Sequence, residues 1–299
     1  MEPTLEFFDD AASFLAAAGE HLALDPVLNT VVATVAERER RGEAEAVEGL
    51  PHWYAVARSV TGGVDGVAMR TAPFRPYPLF VLPMPGDAAV ALARRLHERG
   101  EEADAANGAL PAVSRFAEES ARLSGGTVVV DVHTRLFELR RVIAPRVPSG
   151  ALRVAREEDA DLALSWFLAF HHEAAEQAGR AGGSEEHPFT AEQMLTRIRG
   201  GRVFLWEVDG ERVHLTTATA PSYGAARIGP VFTPKEHRGN GYASSAVAQV
   251  SQLLLDEGAR PCLFTDQANP VSNGIYQAIG YERVVDMANL VVGRAVSGP

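Results

Sequence analysis

The sequence contains a single cysteine, Cys262, and lacks what several classes of protein require. One cysteine cannot form a disulfide framework or a cysteine-based metal site, and no metal is predicted. No apolar run approaches the length of a membrane span, and residues 1–4 lack the basic-then-apolar pattern of a signal peptide. We therefore expect a cytoplasmic protein without a membrane partner.

Positive charge is also scarce, since the formal net charge is −11 at pH 7. A general nucleic-acid binder is excluded, because the chain has no excess of positive charge to neutralise the phosphates of a nucleic acid. The acidic balance is compatible with a cationic small substrate, although most acidic proteins are acidic only for solubility. With 46% apolar and 22% charged residues, the composition is that of a soluble globular protein, and 299 residues allow one or two domains.

The pattern of helices and strands divides the chain at Ala144–Gly150, where two prolines and a glycine predict a linker. The C-terminal half has the predicted order β-α-α-β-β-β-α-β-α-β. The N-terminal half is partly similar, with two helices, three strands, two helices and two strands. We predict a layered α/β fold with a mixed, mostly antiparallel sheet flanked by helices, duplicated in domains 1–146 and 147–299.

Three predictions in the N-terminal half concern single elements. A first helix is expected over about Leu5–Leu22, and the stretch between Arg99 and Pro111 is interpreted as a loop. Two separate strands are expected at Thr127–Val132 and Leu136–Val142. In the C-terminal half, the glycine-rich stretch Ala178–His187 is interpreted as a mobile loop.

The most informative stretch runs from Ile228 to Ala243, where a strand ends, a turn follows and a helix begins near Gly239. Gly239 and Gly241 lack Cβ atoms, so a ligand can approach the backbone closely. The first-turn amides of a helix have no acceptors within it, and together with the helix dipole they form an anion site.

Three kinds of phosphate ligand are candidates for such a turn. A nucleoside-triphosphate loop requires Lys-Ser or Lys-Thr after the last glycine, whereas Tyr242-Ala243 stand here. A dinucleotide site is mimicked by Ser244 and by Asp266 after the next strand, but the glycines follow antiparallel strands and no second mononucleotide unit follows. The third ligand is the pyrophosphate of coenzyme A.

The stretch Arg238-x-x-Gly241-x-Ala243 resembles the acyl-CoA-binding motif of the GCN5-related N-acetyltransferases, and Val231-x-Thr233-Pro234 precedes it as in that family. The downstream segment Asn269–Tyr281 resembles the family's second motif. The resemblance implies that acetyl-CoA is the acyl donor. It also implies a set of contacts with the donor, made by Val231, Phe232, Thr233, Arg238, Gly239, Asn240, Gly241, Tyr242, Ala243, Asn269, Ser272 and Tyr276.

Gly229-Pro230 lies inside the strand that leads to the turn, and a proline there indicates an edge or a bulge. The resemblance implies a splay between this strand and the one ending at Thr265. The pantetheine arm of the donor inserts there and pairs with free backbone groups, for which Val231 and Thr233 are the matching candidates.

Asn269 is predicted to cap a short helix, with Pro270 at its first position and Gly280 at its end. Asn269, Ser272 and Tyr276 then share one helical side. Tyr276 matches the family's catalytic tyrosine, which is implied to protonate the leaving thiolate, and Asn269 is assigned to the catalytic site with it. The alternative for Tyr276 is packing against the long helix.

The base that would deprotonate the amine is not identified. The strand Ala226–Phe232 has no acid, where many family members have a glutamate. The base is then either a water or a side chain, and the side-chain candidates are His171, His172, Glu173, Glu176 and Asp266.

The N-terminal half lacks the Arg-x-x-Gly motif, and its matching junction contains Pro85 and Asp87, which remove an amide and oppose an anion. We interpret it as a degenerate, non-binding relative, in which His52, Trp53 and Tyr54 either pack in the core or line a cleft. The prediction is an N-acetyltransferase acting on a small-molecule or peptide amine, as a monomer or homodimer. The alternative is a non-catalytic acyl-CoA-binding module.

Overall fold

The computed structural model describes residues 3–43, 48–73, 75–177 and 189–293, and of residues 175–177 only the backbone. The predicted loop Ala178–His187 lies outside these residues. The chain forms two compact units: Met1–Arg135 with Val285–Pro299, and Leu136–Val284. The boundary between them falls within two long strands, Thr127–Leu139 and Tyr281–Gly293.

The first unit has an α/β architecture. Asp10 begins its first helix by accepting a hydrogen bond from the Ser13 amide at 2.8 Å. Its elements, in chain order, are β1 (Thr4–Phe8), α1 (Ala11–Leu24), α2 (Thr30–Arg40), β2 (Trp53–Arg58), β3 (Val64–Arg70), β4 (Leu79–Val81), α3 (Gly86–Glu98), β5 (Ala105–Ala109), α4 (Ala112–Ser124) and β6 (Thr127–Leu139).

The sheet of the first unit has the order β1-β2-β3-β4-β5-β12-β6, where β12 is the strand Tyr281–Gly293. Neighbours from β1 to β4 are antiparallel, β4 and β5 are parallel, and β5 pairs antiparallel with Met287–Val291 of β12. Ala288, Leu290 and Val292 of that strand lie in the unit's core. Residues 285–293 therefore form an interior strand of this unit.

The second unit begins with the last residues of β6 and continues through a second series of elements. These are β7 (Ala151–Val154), α5 (Ala160–Gln177), α6 (Ala191–Arg199), β8 (Val203–Val208), β9 (Glu211–Ala218), β10 (Ala225–Phe232), α7 (Tyr242–Asp256), β11 (Arg260–Asp266), α8 (Pro270–Ala278) and the start of β12.

In the second unit the strand order is β6-β11-β10-β9-β8-β7. Strands β7 to β10 are antiparallel and β10 is parallel to β11. One apolar cluster contains α7 residues such as Val247 and Leu254, and another contains Ala163 and Phe167 of α5. The predicted mixed, mostly antiparallel sheet flanked by helices is thus present.

Both series follow the same order, β-α-α-β-β-β-α-β-α-β. Three single-element predictions were wrong, and their correction makes the repeat complete. Thr4–Phe8 is a strand rather than the start of a helix, because it pairs with β2. Ala105–Ala109 is a strand rather than a loop, because β4 and β12 flank it. Residues 127–139 form one strand instead of two.

The segment predicted as a linker connects β6 to β7 within the second unit. The Trp206 indole donates a hydrogen bond to the Ser149 carbonyl at 2.9 Å, and the Ser245 hydroxyl donates to the Arg146 carbonyl at 3.2 Å. This segment is therefore anchored on β8 and α7.

Candidate functional site

Strands β10 and β11 separate halfway along their length. They are paired only from Ala225–Arg227 to Arg260–Cys262, although β10 continues to Phe232 and β11 to Asp266. The pairing of β10 with β9 shifts between Ile228 and Val231, so of the two predicted alternatives, an edge or a bulge, the structure has the bulge. Beyond the paired residues, the backbone of β10 that faces β11 is free to pair with an extended ligand.

The conformation of the bulge depends on Gly229 and on a neighbouring threonine. Gly229 has φ +134°, a region that other residues rarely adopt. The fully buried Thr217 hydroxyl of β9 donates a hydrogen bond to the Gly229 carbonyl at 2.7 Å. The bulge is therefore held from the β9 side and leaves the β11 side open.

The turn after β10 presents backbone to solvent. Gly239 and Gly241 have φ of +81° and +84°, and a Cβ on either would meet nothing within 4 Å. Gly241 directly precedes α7, whose first turn contains no acidic residue. Among the described residues, the amides of Tyr242, Ala243 and Ser244 have no acceptor. An anion fits this helix start, because donors and dipole both favour negative charge.

Arg238 connects the turn to two other parts of the second unit. Its Nε donates to the Thr233 carbonyl at 2.8 Å, and its Nη2 lies 2.6 Å from Glu173 Oε2 on α5. The Asn240 amide donates to the His237 carbonyl at 3.0 Å and closes the turn. Glu173 is thus an ion-pair partner of Arg238.

Helix α8 begins as the sequence predicts. Asn269 Oδ1 accepts a hydrogen bond from the Ser272 amide at 3.0 Å, and Pro270 occupies the first turn. Asp266 Oδ1 accepts from the Ala268 amide at 2.8 Å, so this carboxylate stabilises the preceding turn. Helix α8 ends before Gly280, whose φ of +106° fits the predicted terminus.

Tyr276 lies on the buried side of α8. It is 9% exposed and packs in the same apolar cluster as Ile228 of the bulge, with Val231 at the cluster's edge. Its ring centroid is 6.0 Å from that of Tyr281, in an edge-on arrangement. Burial raises the pKa of Tyr276 to about 12, so the phenol keeps its proton at neutral pH. Val231 and Tyr276, two predicted site residues 45 positions apart in sequence, are thus brought together.

One buried group in this region escaped the sequence reasoning. His214 of β9 is fully buried, with Nδ1 2.7 Å from Thr233 Oγ1 and Nε2 2.7 Å from Thr216 Oγ1. Burial lowers the pKa of His214 to about 3. The sequence signal for it is weak: His214 and Thr216 are polar residues two positions apart in an apolar strand, so their side chains lie on the same face.

The remaining base candidates are distributed along α5. The ring centroid of His171 lies 4.9 Å from that of Phe167 and 5.3 Å from that of Phe170, whereas His172 is exposed. The side chain of Glu176 lies outside the described residues. Among the described side chains of this group, Glu173 contacts the turn, through Arg238.

The candidates of the first unit take part in its core. Tyr54 is fully buried, and its hydroxyl donates to Glu39 at 2.7 Å. His52 Nε2 lies 2.9 Å from the same carboxylate, and the Trp53 indole donates to Glu101 at 2.8 Å. Core packing, one of the two readings, accounts for these side chains.

The counterpart of the splay is closed in the first unit. Strand β4 is paired with β5 over its whole length, from Leu79–Val81 to Ala106–Gly108. A Cβ on Gly108 would overlap the Val81 carbonyl, so the two backbones are in close contact. Asp87 lies in the first turn of the following helix, where its charge opposes a bound anion.

No group of three or more His, Cys, Asp or Glu residues in the described part of the chain is arranged to hold a metal ion. Nor does any helix there combine the length and the apolar character needed to cross a membrane.

Comparison with known proteins yields one family model and many structures. The model described as FR47-like protein matches residues 208–290, which include β9 to α8. No curated protein matches the chain.

Solved structures match over nearly the whole chain. A GCN5-related N-acetyltransferase from Sphaerobacter thermophilus is 17% identical with a TM-score of 0.59, covering 97% of this chain and 96% of its own. A tandem GNAT protein from the clavulanic acid biosynthesis pathway is 17% identical with a TM-score of 0.58, covering 99% and 100%. A GNAT-family acetyltransferase from Colwellia psychrerythraea is 11% identical with a TM-score of 0.55, covering 97% and 100%.

The resemblance predicted from Arg238–Ala243 and Asn269–Tyr281 is thereby confirmed at the level of fold. The chain has the fold of the GCN5-related N-acetyltransferases in a tandem arrangement, and its FR47-like segment contains the splayed strand, the glycine turn and helix α8.

Proposed function

We propose that the protein is an acetyl-CoA-dependent N-acetyltransferase that acts on a primary amine. The observation that carries this proposal is the separation of β10 from β11 after Arg227, followed directly by the open glycine turn. A strand edge without a partner and a cluster of amides without acceptors, joined end to end, suit a ligand with an extended amide-containing arm and a pyrophosphate.

The donor would lie along β10 and end at the turn. Backbone groups of Val231 and Thr233 would pair with the pantetheine arm, because β11 does not reach them, and Phe232 between them would contact the donor. The backbone from Arg238 to Ala243 would hold the pyrophosphate, with Arg238 fixed by Glu173 and Thr233. Asn269 and Ser272 at the start of α8 would contact the arm from the β11 side.

The reaction would proceed by direct attack. The amine nitrogen adds to the thioester carbonyl, the carbon–sulfur bond breaks, and the thiolate leaves with a proton from Tyr276. A phenol whose pKa is about 12 is fully protonated at neutral pH and can serve as this acid. The proton lost by the amine would pass to water. Two of the five side-chain candidates, Glu173 and Asp266, are engaged in the contacts described above.

The first unit supports the proposal as an internal comparison. It has the same order of elements, but its β4–β5 pair is closed at Gly108 and Asp87 occupies its helix start. We propose that the N-terminal domain, predicted as 1–146, is a non-binding relative and that the domain predicted as 147–299 is catalytic, with residues 285–293 contributed to the sheet of the first unit. The acceptor would be a small-molecule or peptide amine, and the protein a monomer or homodimer.

A second candidate is a non-catalytic acyl-CoA-binding module. It is favoured by one observation: no acid stands in β10, and Glu173 is paired with Arg238. Calorimetry with CoA and with NAD, followed by thiol release from acetyl-CoA over a broad panel of amines, tests both candidates. Binding of CoA with amine-dependent thiol release supports the enzyme. Binding without release from any amine supports the module, and preference for NAD contradicts both.

A further inference from the structure

His214 occupies a position that an apolar strand would normally fill with an aliphatic residue. It is completely buried on β9, between Trp206 of β8 and the end of β10. Both ring nitrogens are hydrogen-bonded, at 2.7 Å each, to the hydroxyls of Thr216 and Thr233. A buried polar group is costly unless satisfied, and this imidazole is satisfied only while Thr233 stays where it is.

The imidazole remains neutral, because burial lowers its pKa to about 3. A neutral imidazole has one N–H donor and one acceptor nitrogen. One threonine hydroxyl therefore donates to the ring and the other accepts from it. The three side chains form one chain of hydrogen bonds, Thr216–His214–Thr233, which runs from the buried centre of β9 to the end of β10.

Thr233 is the residue where this chain meets the candidate site. Its hydroxyl contacts His214, and its carbonyl accepts from Arg238 Nε at 2.8 Å. Arg238 in turn lies 2.6 Å from Glu173. Thr233 is thus fixed through both its side chain and its backbone, at the point where β10 ends and the glycine turn begins.

The site needs such an anchor, because β11 does not hold this end of β10. Pairing with β11 stops at Arg227, and pairing with β9 is interrupted at the bulge. Within the described part of the sheet, the strand end that leads to the glycine turn is therefore paired on one side, with β9. Because β11 gives this strand end no support, a side-chain hydrogen bond from β9 to Thr233 takes its place in holding it.

We propose that His214 is a positioning residue for the donor site: through Thr233 it fixes the free end of β10 and the glycine turn in the geometry that binds the pyrophosphate and pantetheine of acyl-CoA. This inference rests on the proposed function. It adds a residue that touches no ligand and that acts on donor affinity through a threonine.

The test measures the dissociation constant for CoA by calorimetry in the full chain. Thr233→Val removes the hydroxyl at nearly constant side-chain volume. His214→Asn introduces a side chain that is too short to hydrogen-bond with both threonines. Each is expected to weaken CoA binding about tenfold, the effect of losing one buried hydrogen bond at the site. The double variant is expected to bind CoA no more weakly than whichever single variant binds it less tightly, because both substitutions break the same hydrogen bond between His214 and Thr233. Thr233→Ser keeps the hydroxyl and is expected to bind within about twofold of the unaltered protein.

The matched control is Thr34→Val in the first unit, where a buried hydroxyl donates to the Thr30 carbonyl at 2.6 Å. It loses a comparable hydrogen bond and should lower the melting temperature without changing CoA affinity. A purely structural role for His214 predicts this same outcome for Thr233→Val.

Unchanged affinity in Thr233→Val, or effects that multiply in the double variant, would overturn the inference. If His214→Asn does not fold, Thr233→Val and Thr233→Ser decide alone. An unaltered protein that fails to bind CoA contradicts the proposed function itself, whereas tight binding that ignores Thr233→Val contradicts only the role of His214.

Discussion

A glutamate at position 241 should abolish donor binding while the fold survives. Gly241 has φ +84°, directly before α7, and open space where a side chain would project. A non-glycine residue in this left-handed region costs about 1–2 kcal/mol of unfolding free energy. A carboxylate about 4 Å from a phosphate adds a repulsion of about 4 kcal/mol at an effective dielectric constant of 20. Solvent reduces this value, so we expect CoA affinity to fall at least about a hundredfold.

The control for this substitution is Gly258→Glu. Gly258 has φ +77° and equally open surroundings, and it lies just beyond the other end of α7, about 25 Å from Gly241 by helix rise. Both variants should lose similar stability in thermal denaturation, because both impose the same backbone strain.

Calorimetric titration with CoA at fixed ionic strength separates the two effects. Only Gly241→Glu should lose affinity, and Gly241→Ala, which adds strain without charge, should fall between it and the unaltered protein. A Gly241→Glu protein that binds CoA within threefold of the unaltered protein would refute the assignment of the turn to pyrophosphate.

Three further predictions concern catalysis, an ion pair and the end of the chain. Tyr276→Phe should leave CoA affinity unchanged and lower kcat about a hundredfold. The loss should be constant from pH 7 to 9, because burial raises the pKa of the phenol to about 12. Full activity in this variant would exclude Tyr276 as the acid. Asp159, fully buried between Arg153 and Arg212, has its pKa lowered chiefly by the Arg153 hydrogen bond, so its stabilisation is present above about pH 4 and is lost on acidification. Asp159→Asn should lower the unfolding free energy by about 3–5 kcal/mol at pH 7 and remove much of the acid dependence in urea titrations, and an unchanged pH profile would contradict this. Truncation after Val284 removes the strand beside β5, so hydrogen exchange in β4 and β5 should accelerate to that of an unfolded segment, and unchanged protection would contradict the pairing.

Local features were predictable because neighbouring residues produce them. Asn269-Pro270 specifies the start of α8 through a side chain that reaches the amide three residues on, and Gly239 and Gly241 allow a turn that other residues resist. The bulge followed from Gly229-Pro230, since a proline cannot donate to a sheet. Each of these depends on fewer than five consecutive residues.

Errors arose where a distant segment determines the structure. Ala105–Ala109 has no strand-forming residue, yet it is a strand because β4 and β12 both hydrogen-bond to it. Thr4–Phe8 is similar, since β2 extends it. The ion pair between Glu173 and Arg238 and the bond between His214 and Thr233 join residues 65 and 19 positions apart, and no local spacing predicts either.

By itself, then, the sequence determined the layered fold, the partial similarity of its two halves and the glycine turn, because these depend on periodicity and local backbone chemistry. Only the tertiary structure decided how far β10 and β11 separate, that the first unit is closed at Gly108, and that the last strand pairs with β5. It also decided that a buried histidine holds the end of β10. These properties depend on which backbone groups remain unpaired after distant segments have packed, and no short stretch of the chain contains that information.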